Sequence, residues 1–242
     1  MRIGFSLYLF LLFSILAQNL SSISNQPPTK PVEFIVGKVL EKTQNNDQLK
    51  KENLTYKRIY TVESLNDKKE VVNKDKEEVV LIEKGGRERT LERNGKGNKG
   101  NSRVSAPKFD LIKALESLIK FHDFEINRID MIDNRPYYLI SFRPKADRSR
   151  TNDDVEEIIV RSEGWMYVDL EKFYISQITV WITRSYSRGW GIFNLTRANV
   201  DMAQEELDGI IVMKSIKLID KYSFFGFDTF EKQTWTYQDY QF

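Results

Sequence analysis

The chain has 242 residues, 37 Lys and Arg against 35 Asp and Glu, and a formal charge of +2. A balance this even gives no reason to expect a nucleic-acid partner. The absence of cysteine excludes disulfides, a thiol nucleophile, cysteine-bound metal and a lipid-modified N-terminal cysteine.

Taken from the N-terminus, Met1-Arg2 is followed by an apolar run from Phe5 to Leu16, then Ala17 and the polar Gln18-Asn19. This is the order of a secretory signal peptide with a cut after Ala17, and the run falls short of the roughly 20 residues a membrane span needs. Removal of residues 1–17 leaves 225 residues, carrying a charge of +1 once Arg2 is lost. The expected address is the periplasm, as an exported chain that is soluble after signal-peptide cleavage. Residues 18–31, with Pro27, Pro28 and Pro31, read as a flexible leader. Val32–Leu40 is apolar but fits either helical turns or an edge strand. Leu54–Glu63 carries Tyr56, Tyr60 and Val62 on one parity and reads as a strand. Asn66-Asp67 signals a turn, Lys68–Ile82 reads as a long solvent-facing hairpin, and Gly85-Gly86 as another turn. Residues 94–104 are low in complexity; the stretch NGKGNKGNS lacks the GxxxxGK[ST] spacing of a phosphate loop and is expected to be a connector.

Pro107 opens the strongest helical pattern, with Leu111, Ile112, Leu115, Leu118 and Ile119 on one stripe. From Phe124 the period changes to two. Tyr138, Ile140 and Phe142 form one face, and an Asp133-Asn134 turn precedes them. Met166, Val168 and Leu170 follow, and then Ile178, Val180 and Ile182, with Trp181 and Thr183 opposite. Residues 195–208 alone fit a polar helix, Ile210–Leu218 is β-rich, and an aromatic strand ends the chain. With 15 Phe and 11 Tyr in the chain, this order predicts an α+β fold of sequential hairpins, with aromatic residues packed across strands or lining a pocket.

The helix from Pro107, then FHDFEINRIDMIDNRPYYLISFRPK (121–145), EGWMYVDLEKFYISQITVWI (163–182), DGIIVMKSIKL (208–218) and YQDYQF (237–242) together resemble bacterial periplasmic proteins of the outer-membrane lipoprotein-sorting (LolA/LolB-like) superfamily, in its uncharacterised branch. The resemblance is best over residues 107–242, and Gly164–Asp169 looks like the family's G-x-x-Y-V-D strand. It implies a strongly curved antiparallel β-sheet, an incomplete barrel, with helices covering the concave side and an apolar space between them. It also implies a strand at 195–208 and one such domain over residues 32–242. The family's functional basic and aromatic residues find no matching positions here.

Enzyme signals are poor, and neither catalysis, a cofactor nor a metal is expected. His122, the only histidine, has no serine elbow or ligand cluster beside it. The pairs Asp153-Asp154, Glu156-Glu157 and Glu205-Glu206 lack calcium-loop spacing. The sequons at Asn53 and Asn194 are taken as accidental. Two basic groups stand out, Arg135, Arg143, Lys145, Arg148 and Arg150, and Arg184, Arg188 and Arg197. They are either ordinary solvated loop residues or a rim for anionic head groups or an acidic partner. The aromatic residues Tyr138, Phe142, Trp165, Tyr167, Phe173 and Trp181 are the candidate ligand-binding set, against a role in the core alone. The expected function is non-catalytic binding of a hydrophobic ligand, a lipid or the acyl chains of a lipoprotein. The alternative is an envelope protein-interaction or stress-sensing module with a self-filled core.

Overall fold

The computed structural model describes residues 30–95, 110–146 and 153–242. The signal segment 1–17, nearly all of the leader, most of the 94–104 loop, Pro107, Arg148 and Arg150 lie outside these residues. Helix α1 (Val32–Asn53) leads into β1 (Thr55–Leu65), β2 (Val71–Ile82), a 3-10 turn (Lys84–Gly86) and β3 (Glu88–Gly95). Then come α2 (Leu111–Phe121), β4 (His122–Ile132), β5 (Arg135–Pro144), α3 (Asp154–Ile159), β6 (Ser162–Asp169) and β7 (Ile175–Ile182). The short β8 (Tyr186–Arg188) precedes three long strands, β9 (Phe193–Leu207), β10 (Ile210–Phe224) and β11 (Phe227–Gln241).

All strands join one antiparallel 11-stranded sheet in the order β3-β2-β1-β11-β10-β9-β7-β6-β5-β4, with β8 added on β9. The sheet is curved but not closed, and the helices cover its concave side, as the α+β incomplete barrel expected from the sequence requires. Its curvature shows in α1, which touches the 3-10 turn after β2, the central β10 and the edge strand β4. A flat sheet would set β2 and β4 about 38 Å apart at about 4.8 Å per strand, more than the roughly 33 Å length of such a helix.

Register explains the core. Ile126, Ile140, Met166, Ile178, Met202, Ile216, Trp235 and Tyr60 are each directly opposite the next across seven strand pairings. Directly opposed residues point to the same face, so one row of large side chains crosses the concave surface. Ile35, Val36 and Val39 of α1 and Leu115 and Leu118 of α2 pack against it.

Two elements differ from the sequence expectation, and one open choice is resolved. Val32–Leu40 forms the first turns of a helix and not an edge strand, and helix α1 runs on to Asn53. Only its first turns are apolar. The polar half is held by Asn46, whose amide donates to the Ile211 carbonyl (2.6 Å) and accepts from the Ile211 amide (2.8 Å). Residues 68–82 are not a hairpin of their own, since β2 is a single strand paired to β1 and β3 around the Asn66 turn. It is not wholly solvent-facing either, because Glu78, Val80 and Ile82 are buried. Asn94 and Gly95 end β3 rather than opening the connector.

Residues 195–207 lie in a strand, as the family resemblance implied for 195–208 and the local sequence did not. Ala, Met, Gln and Glu favour helix in isolation. Pairing on both sides, to β7 and β10, wins here, because it sends Val200 and Met202 to the core and leaves Asp201 to bond Thr179 Oγ1 at 2.9 Å.

Gly164 fills a position on the concave face between Phe142 and Val180 where a side chain has no room. An added Cβ would overlap the Thr179 carbonyl and lie 2.7 Å from Phe142 Cζ. Gly164→Ala is therefore expected to lower the unfolding free energy by about 3 kcal/mol, at the upper end for overpacking because backbone must move. Urea denaturation of the two proteins measures it; equal midpoints would contradict this packing.

Candidate functional site

The larger hollow of the concave side forms where the helices stand off from the sheet. Asp110 starts α2 by accepting from the Lys113 amide (3.1 Å). Asp153 starts α3 by accepting from the Val155 and Glu156 amides (2.8 and 3.0 Å). A Lys120 Nζ to Glu156 contact of 3.3 Å links the two helices. Beneath them lies a cavity of about 910 Å³. Leu111, Ala114, Leu115 and Leu118 of α2 and Val155, Ile158 and Ile159 of α3 form its helical wall, with Ile178, Val180 and Ile182 of β7 and Ala198 and Val200 of β9 as its floor. The charged lining, Asp110, Lys113, Glu116, Lys120, Asp153 and Glu156, comes from the helices and their N-caps. The volume lies in the roughly 300–1,000 Å³ range of small-ligand pockets.

A second cavity of about 590 Å³ lies between α1, the start of α2 and β1, β2 and β11. It is more polar, with Lys50, Arg58, Glu88 and Asp110 among its walls, and Tyr56, Tyr237 and Tyr240 as its aromatic side. Tyr56 stacks on Tyr240 with ring centres 5.2 Å apart. Burial pushes the Tyr237 hydroxyl up to about 12, so it is neutral in the folded protein.

The six aromatic residues expected as a ligand set are not gathered in one place. Tyr138 and Phe142 lie on the helix-covered face within the packed core. Trp165 and Tyr167 occupy the opposite parity of β6, are half-buried and meet edge to face at 5.3 Å, with Tyr167 donating to Asp130 (3.2 Å). Phe173 lies in the β6–β7 turn, edge-on to Phe34 at 6.2 Å, with the Lys30 ammonium 4.7 Å from its ring centre. Trp181 borders the larger cavity, and its indole N–H donates to Glu163 (3.0 Å). The family-like Asp169 is a turn former; its carboxylate accepts from the Glu171 and Lys172 amides at 3.0 and 2.8 Å.

His122 is a buried pin rather than a base. Its Nε2 donates to the Ser162 carbonyl (2.9 Å), its ring meets Phe142 edge-on at 5.7 Å, and burial lowers its pKa, favouring the neutral ring. Among the described residues no group of three or more His, Asp or Glu is placed to hold a metal ion, and no helix is long and apolar enough to cross a membrane.

One polar feature of the concave face escaped sequence reasoning. Ile216, Leu218 and Asp220 share a parity of β10, so a lone acid on an apolar stripe was the available signal. Asp220 faces Glu231 across β11 and Ala198 across β9. Its Oδ1 has no hydrogen-bond partner among the described residues.

No family model and no curated protein matches the sequence. Among solved structures, the chain is similar to a LolA superfamily protein from Nitrosomonas europaea, at 11% identity and a TM-score of 0.35, over 86% of this chain and 91% of that one. It is similar to a domain described as an outer-membrane lipoprotein-sorting protein from Vibrio parahaemolyticus, at 10% identity and a TM-score of 0.36, over 86% and 93%. It is also similar to a chain of the Pseudomonas aeruginosa MucA/MucB complex, at 9% identity and a TM-score of 0.26, over 85% and 93%. At this identity and overlap, the likenesses assign neither an activity nor a partner.

The acid pair makes a stability prediction. Burial first, then the facing Glu231, pushes the Asp220 carboxyl up to about 7, and burial raises Glu231 as well. A carboxyl with a raised folded-state pKa binds its proton more tightly in the folded than in the unfolded chain. Stability is therefore lost as pH rises from about 4, the unfolded value, through about 7. Between about pH 5 and about pH 8 the protein is expected to lose roughly 2–3 kcal/mol relative to Asp220→Asn, at 1.36 kcal/mol per pKa unit. Urea titrations of both at the two pH values measure the difference, and parallel pH dependences would refute it.

Proposed function

We propose that this chain is an exported, non-catalytic binding protein of the bacterial cell envelope. It holds the apolar chain of a lipid or of an acylated protein between α2, α3 and the sheet. The observation that carries this reading is the 910 Å³ cavity, whose floor is aliphatic and whose charged residues stand on the helical side. Such a space suits a ligand with a long apolar body and a polar end. Each methylene removed from water contributes about 0.8 kcal/mol, so binding needs no covalent step. The secretory pattern of residues 1–17 supports the envelope address.

In this reading Ile178, Val180 and Ile182 meet the ligand as the cavity floor, while Tyr138 and Phe142 fix the sheet from within the core. Trp165, Tyr167, Trp181 and Phe173 then serve the outer face and the β6–β7 turn. The burial of Tyr138 and Phe142 also fits the competing reading, a protein-interaction module whose concave face is filled by its own side chains.

A binding titration separates the two. Delipidated protein is expected to take up a fluorescent fatty-acyl probe saturably. Ala198→Trp places an indole on the cavity floor and is expected to weaken uptake at least about tenfold, which is 1.4 kcal/mol. Circular dichroism checks that its fold is kept. Wild-type protein without saturable uptake would leave the interaction module as the better reading.

A further inference from the structure

At one end of the sheet, two neighbouring turns expose what soluble surfaces usually cover. Trp190 is fully exposed, Phe227 is 79% and Phe225 64% exposed, and Ile192 and Phe224 lie open beside them. The turns are tied together, since the Phe225 amide donates to the Ile192 carbonyl at 2.8 Å and the Phe224 and Phe225 rings meet edge to face at 4.7 Å. The five side chains thus form one surface. They project at and beyond the last strand pairs, Arg188–Phe193 and Phe224–Phe227, so they make a protrusion and not a groove.

Local chemistry does not require these residues. Among the described residues, three two-residue hairpin turns have left-handed backbone, Asp133-Asn134, Asp208-Gly209 and Phe225-Gly226. The first two begin with Asp, which tolerates that conformation. The third begins with Phe at φ 49°, and in the other turn Trp190 sits at φ 58° between two glycines. A bulky residue there costs about 1–2 kcal/mol. Both turns spend conformational energy to present an aromatic ring to solvent.

Behind the rings lie cations. Arg197 and Lys221 are directly opposed on β9 and β10, each 5.8 Å from the ring centre of Phe230. Like charges facing across strands are unfavourable unless something anionic comes near. Lys221 is partly offset by the exposed Asp67 (3.3 Å), and Arg188 by Asp154. Arg184 and Arg197 have no ion-pair partner among the described residues and are exposed.

We infer that this end is a membrane-docking tip that sets its aromatic residues into the interface of an anionic phospholipid bilayer, with Arg184, Arg197 and Lys221 meeting the head groups. Trp and Phe at a protruding edge with basic residues behind them match the two layers of a bilayer surface. A second copy of the chain would bring the same cations together.

Vesicle co-sedimentation of the whole purified chain tests this. It is expected to bind vesicles of equal parts phosphatidylcholine and phosphatidylglycerol, more weakly in high salt, and to bind phosphatidylcholine alone at least about tenfold less. Trp190→Ser, Phe225→Ser and Phe227→Ser together are expected to reduce binding to the anionic vesicles at least about tenfold, with an unchanged thermal midpoint because all three are exposed. Ala198→Trp, whose side chain lies on the concave face away from the exposed rings, is expected to keep it. Absence of vesicle binding by the wild type, equal binding by the triple variant, or a dimer that the triple variant abolishes without any vesicle binding would overturn the proposal.

Discussion

The structure depends on register along one cross-strand row. Eight residues on eight strands, from Ile126 on β4 to Tyr60 on β1, must stand opposite one another for the concave face to be apolar. Slipping any one strand by a residue would turn its whole apolar set to the outer face. The helices depend on this row in turn. The apolar stripes of α1 and α2 are narrow and polar elsewhere, so neither is stable without the surface it covers. The neighbouring row shows the same constraint in another form: Phe124, Phe142, Gly164, Val180, Val200 and Leu218 stand in line, and the large Phe142 is accommodated by a glycine.

Much of this was legible in the sequence where a single physical signal dominated. The parity of Tyr138, Ile140 and Phe142, or of Ile178, Val180 and Ile182, states which face is covered, and α2 has its stripe. Positions where local and tertiary preferences disagree were not legible. Residues 195–207 contain good helix formers, and only two flanking strands make them a strand. The second half of α1 has no apolar periodicity, and its anchoring by Asn46 to a strand 165 residues away leaves no local trace. The cavity shows the same limit. Its β7 floor residues were visible as a strand face, but nothing in their spacing says that α2 and α3 stand off from them rather than pack down.

Aromatic residues divide into three uses, which composition alone does not separate. Tyr60 and Trp235 stack at 4.9 Å within the core row. Trp165, Tyr167 and Trp181 cover the outer face and keep their polar tips bonded or wet, as amphipathic rings do. Trp190, Phe225 and Phe227 do neither, and they occupy turns or the strand end beside one, where alternation gives no face to assign. Reading the aromatic content as evidence for a pocket therefore joins side chains with different physical reasons for being there.

The same row also explains why the barrel stays open. Beyond Tyr60 it continues to Glu78 on β2 and Arg93 on β3, so the register that carries large side chains ends in an ion pair. Burial pushes the Glu78 carboxyl up, but hydrogen bonds from Arg93 and Lys76 outweigh it and hold the group below its usual range. The ammonium of Lys76 also lies over the Tyr60 ring at 5.1 Å. A charged site of this kind leaves nothing apolar for a further strand to cover, and residues 88–94 of β3 are exposed throughout. At the other edge, β4 turns Asp123, Glu125 and Arg128 to solvent. Charged edges of this sort resist pairing with each other or with another chain. Because the sheet cannot close and fill its own interior with facing side chains, helices must do it. α3, only 6 residues long, does not fill what a closing strand would. The charged edges and the cavity are two consequences of one arrangement.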